Sequence, residues 1–188
     1  MLMINPNQTD LPIERASTAL RHIGEPSSKF GLLPMQRIRA MISRKMIWGT
    51  TDVQPTQIQP ASLDLRLGSK AYRIRASLLP GRAKTVAEHL NDFQYDEMNL
   101  DEGAVLEQGR VYLVELQERL KLPRSISAAA NPKSSTGRLD IFTRLISDNS
   151  EAFDTIGSGY HGPLFAEISP RSFSIRVRKG SRLNQIRF

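Results

Sequence analysis

From residue 62 onward the chain alternates short apolar runs with glycine, proline and serine breaks, a pattern of many short strands rather than long helices. It predicts strands over 63–67, 71–76, 111–117, 126–130, 139–142, 164–168, 173–177 and 183–188. In the first of these, Leu63, Leu65 and Leu67 alternate with Asp64 and Arg66, the period of a strand with one face buried and the other in water. In the seventh, Phe173, Ile175 and Val177 form the inner face, with Arg176 and Arg178 on the solvated one. A helix precedes the strands. Pro34 suits a first helical position, Ile38, Met41, Ile42 and Met46 recur at helical spacing, and Gly49 ends it. That helix is expected to plug one end of a barrel or to cover a sheet edge. The long stretch 78–109 is acidic in its second half and helical near 86–90, while the polar residues 1–30 read as an arm with a short helix over 13–23. The fold expected is mainly β, a barrel or sandwich over 31–188 behind an N-terminal arm.

Composition narrows the setting. With 188 residues and 39% apolar content the chain can bury one real core. It has no cysteine, which excludes disulfides and thiolate metal sites and points to an intracellular, cytoplasmic protein. No apolar run approaches bilayer length, and the N-terminus lacks the basic start and apolar run of a signal peptide, so no membrane association is expected. The net charge of +7, with Arg171, Arg176, Arg178, Lys179, Arg182 and Arg187 toward the C-terminus, favours an anionic partner, either nucleic acid or a nucleoside triphosphate.

The candidate chemistry concentrates in three places. Between two apolar runs, Pro132-Lys133-Ser134-Ser135-Thr136-Gly137-Arg138 gathers cations, hydroxyls and a glycine that lets backbone approach an anion, the make-up of a phosphate-gripping turn. Roughly thirty residues on, Gly159-Tyr160-His161-Gly162-Pro163-Leu164-Phe165-Ala166-Glu167-Ile168 enters a strand with one carboxylate, Glu167, among apolar neighbours. The chain ends in a turn and a strand carrying Gln185.

Together with Ser62-Leu63-Asp64-Leu65-Arg66-Leu67-Gly68, these segments in this order resemble the dCTP deaminase family of the dUTPase-like superfamily, over about residues 32–188. The resemblance implies the distorted β-barrel called a β-clip, and dCTP as substrate, converted with water to dUTP and ammonia. It implies Glu167 as general base, Ser134 helping to fix the attacking water, and Arg138 orienting the site, unless Arg138 merely pairs with Asp140 or Asp154. Lys133, Ser135, Thr136 and Gly137 would hold the triphosphate together with the turn's N–H groups, and Phe165, Ala166 and Gln185 would line the substrate. Asp154 is the best counterpart of the family's sugar- or base-contacting aspartate, with Asp148 a rival. Tyr160 is expected to pack under that loop, His161 to be structural, and Asp64 to bond turn backbone. Mg²⁺ would ride on the triphosphate. Zinc is not expected, because the chain offers no Cys-x-x-Cys pair and its histidines, His22, His89 and His161, lack ligand spacing.

The inserted segments resemble the extended form of the family, in which a second related domain follows the first. Further sequence is therefore expected beyond Phe188, where the family's C-terminal tail would close over the triphosphate. The family is usually trimeric, with sites assembled between neighbours, so a homo-oligomer, favoured as a trimer, is expected. Two other readings stand beside deamination to dUTP: a dUTPase or bifunctional enzyme on the same barrel, and a non-catalytic nucleic-acid-binding barrel. The second would need paired exposed aromatics for base stacking, and aromatic residues are few in this chain.

Overall fold

The computed structural model describes residues 31–188; the expected arm over 1–30 and its helix lie outside the described residues. A helix α1 (Met35–Ser43) is followed by β1 (Ile47–Gly49), a 3₁₀ turn (Pro55–Gln57) and the strands β2 (Ile58–Gln59), β3 (Ser62–Leu65) and β4 (Leu67–Ile74). Then come α2 (Val86–Phe93), β5 (Gln94–Asn99), β6 (Ala104–Leu106), β7 (Val111–Lys121), β8 (Ala128–Pro132) and the short helix α3 (Ser134–Arg138). The chain closes with β9 (Ile141–Ser147), β10 (Thr155–Ile156), β11 (His161–Pro170), β12 (Ile175–Val177) and β13 (Asn184–Arg187).

The strands form two main antiparallel sheets. One runs β5-β4-β7-β11-β9, with β1 pairing the far end of β7; the other runs β10-β8-β13-β3-β2. A two-stranded ribbon joins β12 and β6. The main core lies between the sheets, filled by Leu63, Leu65, Leu120, Leu145, Leu164, Ala166, Ile168 and Ile186. The mainly β expectation is met. Several boundaries differ. The helix stops at Ser43 rather than running toward Gly49, because Lys45 adopts a left-handed conformation (φ 56°) and Met46 turns back, its N–H donating to the Met41 carbonyl. Helix α2 sits where helicity was expected, with a Thr85–Glu88 capping box at its start. The acidic stretch behind it supplies β5, whose polar residues are mostly exposed, and the three-residue apolar β6, whose Leu106 is buried in the main core. Phe173 is exposed and outside β12, whereas Ile175 and Val177 face inward and Arg176 outward as expected.

The largest departure is at Ser62–Leu67. It is not one half-exposed strand: the chain leaves the second sheet after Leu65 and enters the first at Leu67, and Asp64 and Arg66 are buried along with the leucines. Arg66 is the crossing point. Its backbone N–H donates to Glu118 Oε2 at 2.7 Å and its Nε to Glu118 Oε1 at 2.7 Å. Its remaining donors reach Thr51 Oγ1, the Thr51 carbonyl and the Asp52 carbonyl, and Gln57 Nε2 adds a bond to Glu118 Oε1. Two residues on, Gly68 passes so near β7 that a Cβ would stand 2.5 Å from the Glu115 carbonyl oxygen, so no side chain fits there without moving the strand.

A second apolar cluster covers the outer face of the larger sheet. Leu113, Ile146, Phe165 and Ile74 project there and are roofed by Leu78, Val86, Leu90 and Phe93 of the segment between β4 and β5. That segment is pinned to the loop after β9 at several points: Gly81 N–H to the Ser150 carbonyl, Asn149 N–H to the Lys84 carbonyl, Val86 N–H to Asp148 Oδ1, and Arg82 to Glu151.

Removing Glu118 strands a buried guanidinium. Glu118→Ala should cost about 3–5 kcal/mol of stability, and Arg66→Met combined with Glu118→Leu should cost far less, because no unpaired charge remains inside. Urea unfolding of the single and double variants checks this.

Candidate active site

Glu167 lies in the middle of β11, opposite Arg144 on β9 and Leu113 on β7. Its strand neighbours Ala166 and Ile168 point into the main core, so alternation turns Glu167 to the outer face, beneath the roofing segment. It is 2% exposed. Arg144 supplies its counter-charge, with Nη2 at 2.6 Å and Nε at 3.2 Å, both on Oε1. The same Nη2 donates to Ser77 Oγ at 2.6 Å, and the guanidinium carbon sits 3.6 Å from the centre of the Phe153 ring and 4.9 Å from that of Phe142. Glu167 Oε2 is buried without a hydrogen-bond partner among the described residues. The two carboxylate oxygens thus differ: Oε1 carries both guanidinium bonds and Oε2 is a buried acceptor with no donor among the described residues.

Asp154, at the end of the loop after β9, is held in a left-handed conformation (φ 58°). Its Oδ1 accepts the Leu145 N–H at 2.7 Å. Burial pushes its carboxyl above the ordinary range, opposed by that N–H and by Arg144. Asp148 uses Oδ1 to accept the Val86 N–H at the start of α2, and burial pushes its carboxyl up too. Tyr160 packs under the loop as expected: its hydroxyl accepts the Asp148 N–H and donates to the Pro163 carbonyl, and burial raises its proton affinity.

The phosphate-type residues gather on the other sheet. The expected turn is the short helix α3, entered from Lys133, whose N–H donates to the Leu183 carbonyl. The Lys133 ammonium is ion-paired with the buried Asp64 on β3, so the partner of Asp64 is this side chain rather than turn backbone. Gln185 faces Asp64 across the β13/β3 ladder, and its Oε1 accepts a bond from Ser62 Oγ at 3.0 Å. Ser134, Ser135, Gly137 and Arg138 are exposed, and Arg138 makes no ion pair with any described residue, neither with Asp140 nor with Asp154. Thr136 is buried, its hydroxyl donating to the Leu183 carbonyl, and so fastens α3 to the strand entering β13. Phe165 packs in the outer cluster and Ala166 in the main core. Within the chain, then, Lys133, Asp64, Gln185 and Ser62 form one group, and Glu167, Arg144 and Asp154 another. No hydrogen bond among the described residues joins Glu167 to the Lys133–Arg138 segment.

Residues 29–188 match the family model described as the 2'-deoxycytidine 5'-triphosphate deaminase N-terminal domain. The chain belongs to this family. The fold is similar to the crystal structure of 2'-deoxycytidine 5'-triphosphate deaminase from Agrobacterium tumefaciens, with 56% identity and a TM-score of 0.82 over 85% of this chain and 48% of that one. A dCTP deaminase of Halorubrum lacusprofundi is 29% identical over 70% of this chain and 63% of its own. A dUMP-forming dCTP deaminase of Persephonella marina is 28% identical over 84% and 82%. The chain thus spans about half of the Agrobacterium structure and under two thirds of the Halorubrum relative.

Against this dCTP deaminase background, Glu167 was visible in the sequence as a carboxylate inside an apolar run, but Arg144 was not. The expected strand 139–142 stopped short of it, whereas β9 runs Ile141–Ser147. The overlooked signal is Ile141-Phe142-Thr143-Arg144-Leu145, in which Ile141, Thr143 and Leu145 are buried and an arginine falls on the opposite face.

The Asp154 carboxyl holds its proton to higher pH in the folded chain than at its ordinary value of 3.8. Its contribution to stability is therefore full below that value and declines as pH rises through the folded titration. Asp154→Asn keeps an oxygen for the Leu145 N–H and removes the titration, so its thermal midpoint relative to wild type should rise from about pH 4 to about pH 7. Calorimetry at both ends of that range checks it.

Proposed function

We propose that this chain deaminates dCTP hydrolytically, with Glu167 as general base. The observation that carries the reading is the buried, unpartnered Oε2 of Glu167 beside Arg144. In the reaction Oε2 takes a proton from a water whose oxygen attacks C4 of the cytosine. That proton is passed to N3; Oε2 then takes the proton of the new C4 hydroxyl and gives it to the amine, so the C4–N bond breaks as C4=O forms, which gives ammonia and the uracil product. A cytosine-sized ring over Oε2 would exclude bulk water and keep the base within reach of both protons. Ser134 would hold the water, and Arg138 would orient the site. Lys133, Ser135, Thr136 and Gly137 would form the phosphate side, with Gln185 offering its amide nitrogen, since its Oε1 is engaged by Ser62. Asp154 would approach the sugar or base from the loop.

The chemistry proposed is independent of a catalytic metal. It is supported by an inventory without cysteine and with three dispersed histidines, and by a base already supplied by Glu167. Mg²⁺ would enter with the triphosphate and screen its charge. The described residues gather no cluster of three acidic or histidine ligands, so its binding would rest on phosphate oxygens. The reaction is proposed to feed pyrimidine deoxynucleotide synthesis in the cytoplasm. No described helix is long and apolar enough to cross a membrane.

The separation of the two residue groups supports a site shared between copies, with the α3 segment of one subunit meeting Glu167 of the next in a homotrimer. The exposed Leu139, Phe142 and Phe173, next to α3, β9 and the end of β11, give such an assembly an apolar surface to cover. A second reading, in which the product is dUMP, is favoured by relatives such as the Persephonella enzyme whose names include that product.

Purified chain with dCTP and Mg²⁺ should release ammonia. Separation of dUTP from dUMP and pyrophosphate then decides between the two products. Glu167→Gln should lower kcat by about 10²–10⁴-fold, and retention of full activity would overturn the assignment. Mixing Glu167→Gln with Arg138→Ala subunits should restore activity that neither has alone; a monomer by light scattering, or no complementation, would argue against a shared site.

A further inference from the structure

Among the described residues two Arg–Glu pairs have a buried carboxylate, and they are built differently. In the Arg66–Glu118 pair both carboxylate oxygens are occupied: Oε1 accepts from Arg66 Nε and Gln57 Nε2, and Oε2 from the Arg66 backbone N–H. Every acceptor is used, as expected of a group whose work is to hold strands in place. In the Arg144–Glu167 pair, two guanidinium nitrogens crowd onto Oε1 and none reaches Oε2. The usual geometry of such a pair is a fork meeting a fork, with one nitrogen on each oxygen. The asymmetry has visible causes. The guanidinium face is stacked on Phe153, Phe142 lies along its flank, and Ser77 Oγ draws Nη2 toward the roofing segment. Three elements therefore fix the tilt: β9, the loop carrying Phe153, and the segment leading to α2.

We infer that Arg144 is a positioning residue for Glu167, anchoring Oε1 so that Oε2 is the oxygen presented to water and cytosine. This rests on the reading of Glu167 as the base. Arg144 itself does not meet the reacting atoms. Its action is to remove the freedom of the carboxylate to rotate or to exchange its two oxygens, which otherwise would divide the base between a productive and a non-productive orientation. A lysine at this position could supply charge but neither the second bond nor the flat face that Phe153 holds.

The test combines kinetics with crystallography on the full chain. Arg144→Gln should lower kcat for dCTP by about 10²-fold with KM little changed. Arg144→Lys should recover only part of the loss, and guanidinium at sub-denaturing concentration should partly rescue Arg144→Ala by filling the slot against Phe153. An undiminished kcat would overturn the inference, as would a raised KM with kcat retained, since that would make Arg144 a substrate ligand. Crystal structures of wild type and Arg144→Lys give a readout that needs no turnover: the Glu167 carboxylate should leave its single orientation in the variant, and an unchanged carboxylate with Oε2 still open would overturn the inference. Wild-type chain that fails to turn over dCTP, while the variant's carboxylate swings free, would sink the deaminase reading and leave the positioning role standing.

Discussion

Everything about the site follows from how the chain passes between its two sheets at Arg66. One residue separates β3 from β4, so the crossing must be made where main-chain groups would otherwise go unpaired in the core, and Glu118 supplies acceptors for both the main chain and the side chain of Arg66. The consequence reaches both halves of the site. β3 carries Asp64 to Lys133 and Gln185 on one sheet, and β7, which carries Glu118 near one end, lays Leu113 against Glu167 nearer the other. Thr143 and Asn184, hydrogen-bonded at 2.8 Å, tie β9 to β13 through the interior. The two residue groups are thus held by the same frame.

Stability and reactivity are distributed unequally over that frame. The crossing uses a carboxylate with every acceptor filled, which is what a low-dielectric interior requires of a structural charge. The β11 carboxylate departs from that requirement with one oxygen, Oε2, which has no donor among the described residues. The frame fastened at the crossing holds that group between two strands, since β7 and β9 both pair with β11 at Glu167.

Much of this was legible in the sequence, for reasons that also explain the misses. The interior strands β7 and β11 show strong apolar signals, and Glu167 and Lys133 stand out by chemical contrast with their surroundings. Alternation failed at Leu63–Leu67 because period two reports which side a residue faces, and not whether the other side is also covered: Asp64 and Arg66 point away from the leucines and still meet protein. The edge strand β5 was hidden because its residues are mostly exposed. Arg144 was hidden for a different reason. Its role comes from a partner 23 residues away on an adjacent strand, and from Ser77 67 residues away, and local pattern contains neither relation.

The roofing segment and the loop after β9 bear on how the protein can change over evolutionary time. Each fastens the other: Asp148 accepts from the first turn of α2, Ser150 and Lys84 lend their carbonyls across the gap, and Arg82 meets Glu151. Neither insertion has a complete set of partners by itself. Shortening one would leave the donors of the other without these partners, so a change in the length of either calls for a matching change in the other although more than fifty residues of sequence lie between them. In recombination between relatives of different loop length, the viable junctions are those that carry both across together.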